Sequence, residues 1–208
     1  MFRGLSVQQR KMLGSTAMFV VVCACWLGRF KPWGWWALGA VTASWLADGL
    51  LAKYPPILGR IKGSFFVGAT LFALAHACYG AASVMVLRAM GAPLKWANFA
   101  VLLAVFLAAV ACHGLLFARA SKRGAGFTVA ATAYLVVVGA MAALAFRVGV
   151  ESGGRLWMLP LGACLFFLSD CILVVREYRR IRSSRMDAAI WATYLGGQLM
   201  LQLGLWLA

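Results

Sequence analysis

The sequence predicts an all-α protein: one polytopic membrane domain over residues 1–208, with about seven transmembrane helices and the N-terminus in the cytoplasm. Three observations carry that prediction. Hydrophobic residues make up 64% of the chain, where soluble domains stay near about half. Charged residues make up only 12%, and they gather in short clusters between apolar runs. The runs approach the roughly 20 residues that a helix needs to cross hydrocarbon. The basic residues also fall unevenly on alternate connections, as the positive-inside pattern requires.

The first run is Met12–Leu27, preceded by Arg3, Arg10 and Lys11. A basic start and an apolar core fit a signal segment loosely, but no small-residue cleavage site follows. Val22-Cys23-Ala24-Cys25 is only a faint lipobox, so the run is taken as a span. The second, Trp33–Leu51, opens on Trp33, Trp35 and Trp36, aromatic residues suited to a membrane interface. Ser64–Leu87, Trp96–Ala118 and Phe127–Phe146 follow. The sixth, Leu156–Val175, carries Pro160 in its first turns, where proline is best tolerated. The seventh is Ala188–Leu207. Gly and Ala are abundant inside the spans, which suits closely packed membrane helices. There is no low-complexity segment and no convincing internal repeat.

A formal charge of +15 on a soluble domain would point to nucleic acid. Here the membrane explains it, and no nucleic-acid partner is expected. Fourteen Lys and Arg lie on the N-terminus and the second, fourth and sixth connections, against six on the opposite side. That asymmetry sets the N-terminus in the cytoplasm and the C-terminus outside, with a bacterial inner membrane the expected location. The six cysteines (Cys23, Cys25, Cys78, Cys112, Cys164 and Cys171) all fall within spans. None has metal-ligand spacing with a histidine, so they are expected to be free, small and apolar in behaviour.

An ionisable residue inside a membrane is costly and therefore a candidate for function. Four stand out: Asp48 late in the second span, His76 mid-third, His113 late in the fourth and Asp170 late in the sixth. Tyr79, Tyr134, Tyr194, Gln198 and Gln202 add polar groups. By helix rise, Asp48 and Asp170 lie about 5–8 Å from the cytoplasmic ends, Tyr134 and Tyr194 about 10–12 Å, and His76 roughly 18 Å. Polar residues from five spans thus share one half of the bilayer. Ser44 and Asp48 share a face, as do His76, Tyr79 and Ser83, and Tyr194, Gln198 and Gln202 form a stripe. Asp170 follows Ser169, with Phe166 and Phe167 nearby. These faces predict a pocket opening to the inner leaflet. Each residue also has a structural alternative: an interhelical hydrogen bond, or a side chain reaching the interface. For His113, close to the boundary, that alternative is preferred.

Two carboxylates at similar depth can divide acid and base roles if their surroundings separate their affinities for protons. Glycosidases use such a pair to cleave an acetal through an oxocarbenium-like state. A vinyl ether hydrolyses through a related cation, formed by protonating carbon. Serine hydrolysis lacks its G-x-S-x-G, and zinc hydrolysis lacks its H-E-x-x-H.

At these same residues the sequence resembles the YhhN-like lysoplasmalogenase family of integral membrane proteins. The resemblance rests on Gly68-x-x-x-Phe72-x-x-x-His76-x-x-Tyr79, on Gly162-Ala163-x-Leu165-Phe166-x-x-Ser169-Asp170, and on Tyr194-x-x-x-Gln198. Ala47-Asp48 stands where the family usually has Gly-Asp, and Tyr134 lies in the matching fifth span. The resemblance implies hydrolysis of the vinyl ether bond of lysoplasmalogens to a fatty aldehyde and glycerophosphocholine or glycerophosphoethanolamine. It implies a lysophospholipid or ether-lipid substrate and no metal or organic cofactor. Asp48 and Asp170 would be catalytic, while His76, Tyr79, Tyr134, Ser169, Tyr194 and Gln198 would bind substrate. Many members begin with an extra helix followed by Lys-Pro. Here Lys11-Met12 stands at the comparable distance, so seven spans are expected rather than eight.

Two other readings compete. A proton-coupled transporter or lipid carrier would also use intramembrane Asp, His and Tyr, but the missing repeat and the one-sided cluster oppose it. A retinal protein would need a lysine in the core of the last span, and all six lysines lie at helix ends or in connections.

Overall fold

The computed structural model describes residues 6–28, 31–55, 61, 63–92, 104, 124–181 and 183–208. Among them lie six helices: α1 (Val7–Gly28), α2 (Gly34–Ala52), α3 (Ser64–Ala89), α4 (Ala125–Glu151), α5 (Met158–Arg179) and α6 (Ser184–Leu207). Apart from residue 104, which is helical, the other described residues lie in turns and connections. Of the predicted fourth span, Trp96–Ala118, residue 104 alone is described, in helical conformation, and His113 lies outside the described residues.

Four helices, α1 (from Gln8), α3, α4 and α5, are long and apolar enough to cross a membrane. The count of seven spans thus becomes four by that measure among the described residues. The shortfall in α2 has a physical reason. Its tryptophans, with Ser44 and Asp48, lower its hydropathy, and the two polar groups are turned inward: Ser44 and Asp48 are buried. Likewise α6 buries Gln198 and Gln202.

Helix ends extend beyond the apolar runs because backbone hydrogen bonding continues into the polar interface. α1 starts five residues before the apolar run begins, on a capping box. The backbone N–H of Gln9 donates to Ser6 Oγ (3.2 Å), and that of Ser6 donates to Gln9 Oε1 (2.8 Å). α6 likewise begins at Ser184, with Ser183 as its cap. Between α4 and α5 the chain turns through Gly153 and Gly154, whose φ angles of 62° and 86° lie in the left-handed region that glycine adopts without strain.

The six described helices contact one another in chain order, with α1 against α6 as well, and α6 also reaches across to α2 and α3. Neighbours run antiparallel, except for two parallel pairs: α3 and α4, with Phe65 stacked on Phe127 at their starts and His76 beside Tyr134 further along, and α1 and α6, with Lys11 near Trp191 and Trp26 near Gln202. The tightest contact joins α5 and α6. A Cβ on Gly197 would sit 2.8 Å from both Gly162 O and Phe166 N, and one on Gly162 would sit 2.8 Å from Leu201 N. Only bare backbone allows that approach, which is how membrane helices gain packing contact without a hydrophobic driving force. It fixes the height of Asp170 on α5 against Tyr194 on α6.

Candidate active site

The starts of α1, α3, α4 and α6 and the ends of α2 and α5 meet at one end of the bundle. There α1, α2, α3, α5 and α6 line a cavity of about 280 Å³. Asp48 and Asp170 both line it, from helices that are not neighbours in chain order.

Asp48 is 8% exposed and sits in the last turns of α2. Its Oδ2 accepts two hydroxyl hydrogen bonds, from Ser15 of α1 and from Tyr194 of α6, the latter at 2.6 Å. Asp170 is 4% exposed. Its Oδ2 lies 3.1 Å from Nε2 of the fully buried His76, and the same nitrogen lies 3.2 Å from the Tyr134 hydroxyl. His76 Nδ1 is buried and has no partner among the described residues. The tautomer carrying its proton on Nε2 therefore serves best. It donates to Asp170 and leaves a bare lone pair, rather than an N–H, without a partner.

Phe166 couples the two halves. Its ring packs edge-on against His76 (centroids 4.4 Å apart) and against Tyr194 (5.2 Å), while Phe72 meets Tyr194 at 5.6 Å. The partner of each carboxylate thus rests on the same aromatic wall, so the two acidic groups are held in one rigid frame.

Among the residues singled out in the sequence, Asp48, Asp170, Ser169 and Tyr194 line the cavity. Ser169 lends its hydroxyl to the α5–α6 contact, donating to the Ile190 carbonyl at 3.0 Å. His76 and Tyr134 support Asp170 from behind. Tyr79 and Gln198 do not line the cavity. They form a deeper layer in which Tyr79 donates to Gln198, and Gln202 Nε2 donates to Tyr79 (2.8 Å) and to the Ala37 carbonyl (2.9 Å). Trp26 donates to Gln202 at 3.0 Å, and Gln198 reaches back to Tyr194 at 3.4 Å. Their connection to the cavity runs through Tyr194.

The sequence reading missed Ser15, Trp191 and the rim. Lys11 lines the cavity, its ammonium 6.0 Å from the Trp191 ring centroid. Arg176 bridges to Asp187 across the α5–α6 gap and to Glu177 at 3.2 Å. A signal for Ser15 exists: Gln8, Lys11, Met12 and Ser15 recur at helical spacing, and three of them face the cavity. Starting the first helix at the apolar run hid that face. None of the five described cysteines is joined in a disulfide among the described residues. No group of three or more His, Cys, Asp or Glu residues is placed to hold a metal ion among the described residues.

A helical bundle with four helices long and apolar enough to cross a membrane, and two carboxylates on the wall of one cavity, fits an integral membrane protein with a polar pocket at one end. The chain belongs to the YhhN family, whose family model matches residues 9–205. No curated protein and no solved structure matches the chain.

Proposed function

We propose that this protein hydrolyses the vinyl ether bond of lysoplasmalogens, releasing a fatty aldehyde and a glycerophospho-alcohol. One observation carries the reading: Asp48 and Asp170 face a single cavity, each backed by its own proton-bearing partners. One carboxylic acid protonates the β-carbon of the enol ether, and the C=C pair becomes the new C–H bond. The oxocarbenium ion left behind is stabilised by the second carboxylate, which also takes a proton from the attacking water. The resulting hemiacetal collapses, its hydroxyl proton passing to the departing glycerol oxygen. The sum is substrate plus water, with no redox partner. Acid–base assistance of this kind contributes about 10²–10⁴-fold.

Lys11 brings positive charge to the cavity and suits a phosphodiester, while Arg176 on the same wall is held by Asp187 and Glu177. Family membership supports the same chemistry. The distribution of basic residues supports a cytoplasmic face for this end of the bundle, where a lysolipid of the inner leaflet would reach it directly.

The test is aldehyde release by the purified protein from an alkenyl-lysophospholipid, with the saturated alkyl analogue beside it. Aldehyde is expected from the alkenyl lipid alone. A folded protein that leaves the alkenyl lipid intact refutes the assignment.

A further inference from the structure

Beside the polar cavity lies a second, apolar one, a crevice between α3, α4 and α5. On α3 it is lined by Phe65, Ala69 and Phe72, and on α4 by Phe127, Ala131 and Tyr134, both sets recurring at helical spacing. Among the described residues Tyr134 is its only polar lining residue, and that hydroxyl is turned toward His76. The crevice opens on the outer surface of the bundle, where Phe66 is 51% exposed. It also touches the carboxylate cavity: Leu51, Phe72 and Leu173 line both spaces.

An apolar slot open to the side of a membrane bundle, ending against a polar cavity, has the shape of an amphiphile with one chain and one head. A soluble polar substrate would leave the slot unused. A two-chain lipid would need a second slot leading from the same cavity.

We infer that the crevice between α3, α4 and α5 receives the hydrocarbon chain of a single-chain lipid whose polar head occupies the carboxylate cavity. Leu51, Phe72 and Leu173 then hold the junction of head and chain beside Asp48 and Asp170. This deepens the hydrolase reading and rests on it for the identity of the bond at that junction. The small side chains of Ala69 and Ala131 leave the room, and their size sets the chain length accepted. Each methylene kept out of an apolar site costs about fourfold in affinity.

The full chain in lipid nanodiscs is labelled with a saturated 1-O-alkyl-glycerophosphocholine carrying a diazirine at mid-chain. Unlabelled octyl and hexadecyl analogues serve as competitors. Crosslinks are expected on the 65–72 and 127–134 stretches of α3 and α4. Ala131→Phe is expected to weaken competition by the hexadecyl lipid at least about tenfold and by the octyl lipid no more than about twofold. Ala130→Phe, at an exposed position on the same crevice, gives the same length-selective loss without burdening the fold. Crosslinks spread over outward faces such as Val20, Val21 and Leu203, or equal losses at both lengths, overturn the inference. Crevice binding without aldehyde from the alkenyl lipid refutes the hydrolase reading alone. Aldehyde release indifferent to a filled crevice refutes the crevice alone.

Discussion

Replacing Asp48 by Asn keeps the shape of the side chain and removes its ability to ionise. In the folded protein, Oδ2 of Asp48 accepts from Ser15 and from Tyr194, and an amide oxygen in the same place accepts from both. Each hydrogen bond to a charged group is worth about 1.5–3 kcal/mol, against about 0.5–1.5 kcal/mol for a neutral one. Two such bonds therefore lose a few kcal/mol at most. That loss is offset because the variant no longer desolvates a carboxylate at a position only 8% exposed. Asp48→Asn is thus expected to fold with a melting temperature close to the parent's. Turnover is a different matter, because the amide neither donates a proton to carbon nor takes one from water, and the rate is expected to fall by about 10²–10⁴. The assay follows aldehyde released from an alkenyl-lysophospholipid through an aldehyde dehydrogenase and its nicotinamide signal, with detergent-phase melting as the control for folding. The same measurement on Asp170→Asn and on the double variant adds a sharper criterion. Groups that act as one unit give a double variant no slower than the slower single one. A well-folded Asp48→Asn protein at parental speed refutes the two-carboxylate mechanism. Rate losses that multiply in the double variant refute the cooperation of the pair.

Other expectations follow from the same geometry. His76→Phe keeps the ring against Phe166 and removes the donor to Asp170, so it is expected to cost about 1–3 kcal/mol in detergent unfolding and to slow aldehyde release. Tyr194→Phe leaves Asp48 with only Ser15 of its two hydroxyl donors; turnover is expected to fall less than in Asp48→Asn, and an equal fall would make Tyr194 more than a positioning group. Gly197→Ala places a methyl 2.8 Å from Gly162 O and Phe166 N, forcing α5 and α6 apart at about 1–3 kcal/mol; unchanged thermal unfolding would show that the helices separate freely. In a background with the native cysteines replaced, Ser6→Cys is expected to be shielded from an impermeant maleimide added outside the cell, and Glu151→Cys, at the other end of the bundle, to be labelled. The reverse pattern would invert the orientation.

Much of the fold was legible because the bilayer acts as a solvent with a known thickness. Apolar run length and the spacing of basic clusters are local quantities, and five of the six described helices begin within two residues of their runs or four before them. The exception at the start, α1, shows the limit of that logic. Hydropathy marks the hydrocarbon layer, whereas Ser6 and Gln9 show that the helix is set by backbone hydrogen bonds that continue into polar sequence.

Asp48 and Asp170 were legible as exceptions, since a carboxylate within an apolar run needs a reason. Their partners were not. Ser15 is an ordinary serine until α1 turns it toward Asp48, and Phe166 is an ordinary core aromatic until it lies between His76 and Tyr194. Tyr79 and Gln198 sit at the same helical spacing as cavity residues, yet their hydroxyl and amide meet each other one layer deeper. The residues by themselves determined a membrane chain with two acidic groups near one end, because burial of polar atoms in lipid is penalised position by position. The choice of which polar groups meet, and the crevice that leads from the bilayer to them, belonged to the tertiary structure, because helix rotation and the close approach of α5 and α6 at Gly162 and Gly197 are set only when whole helices pack.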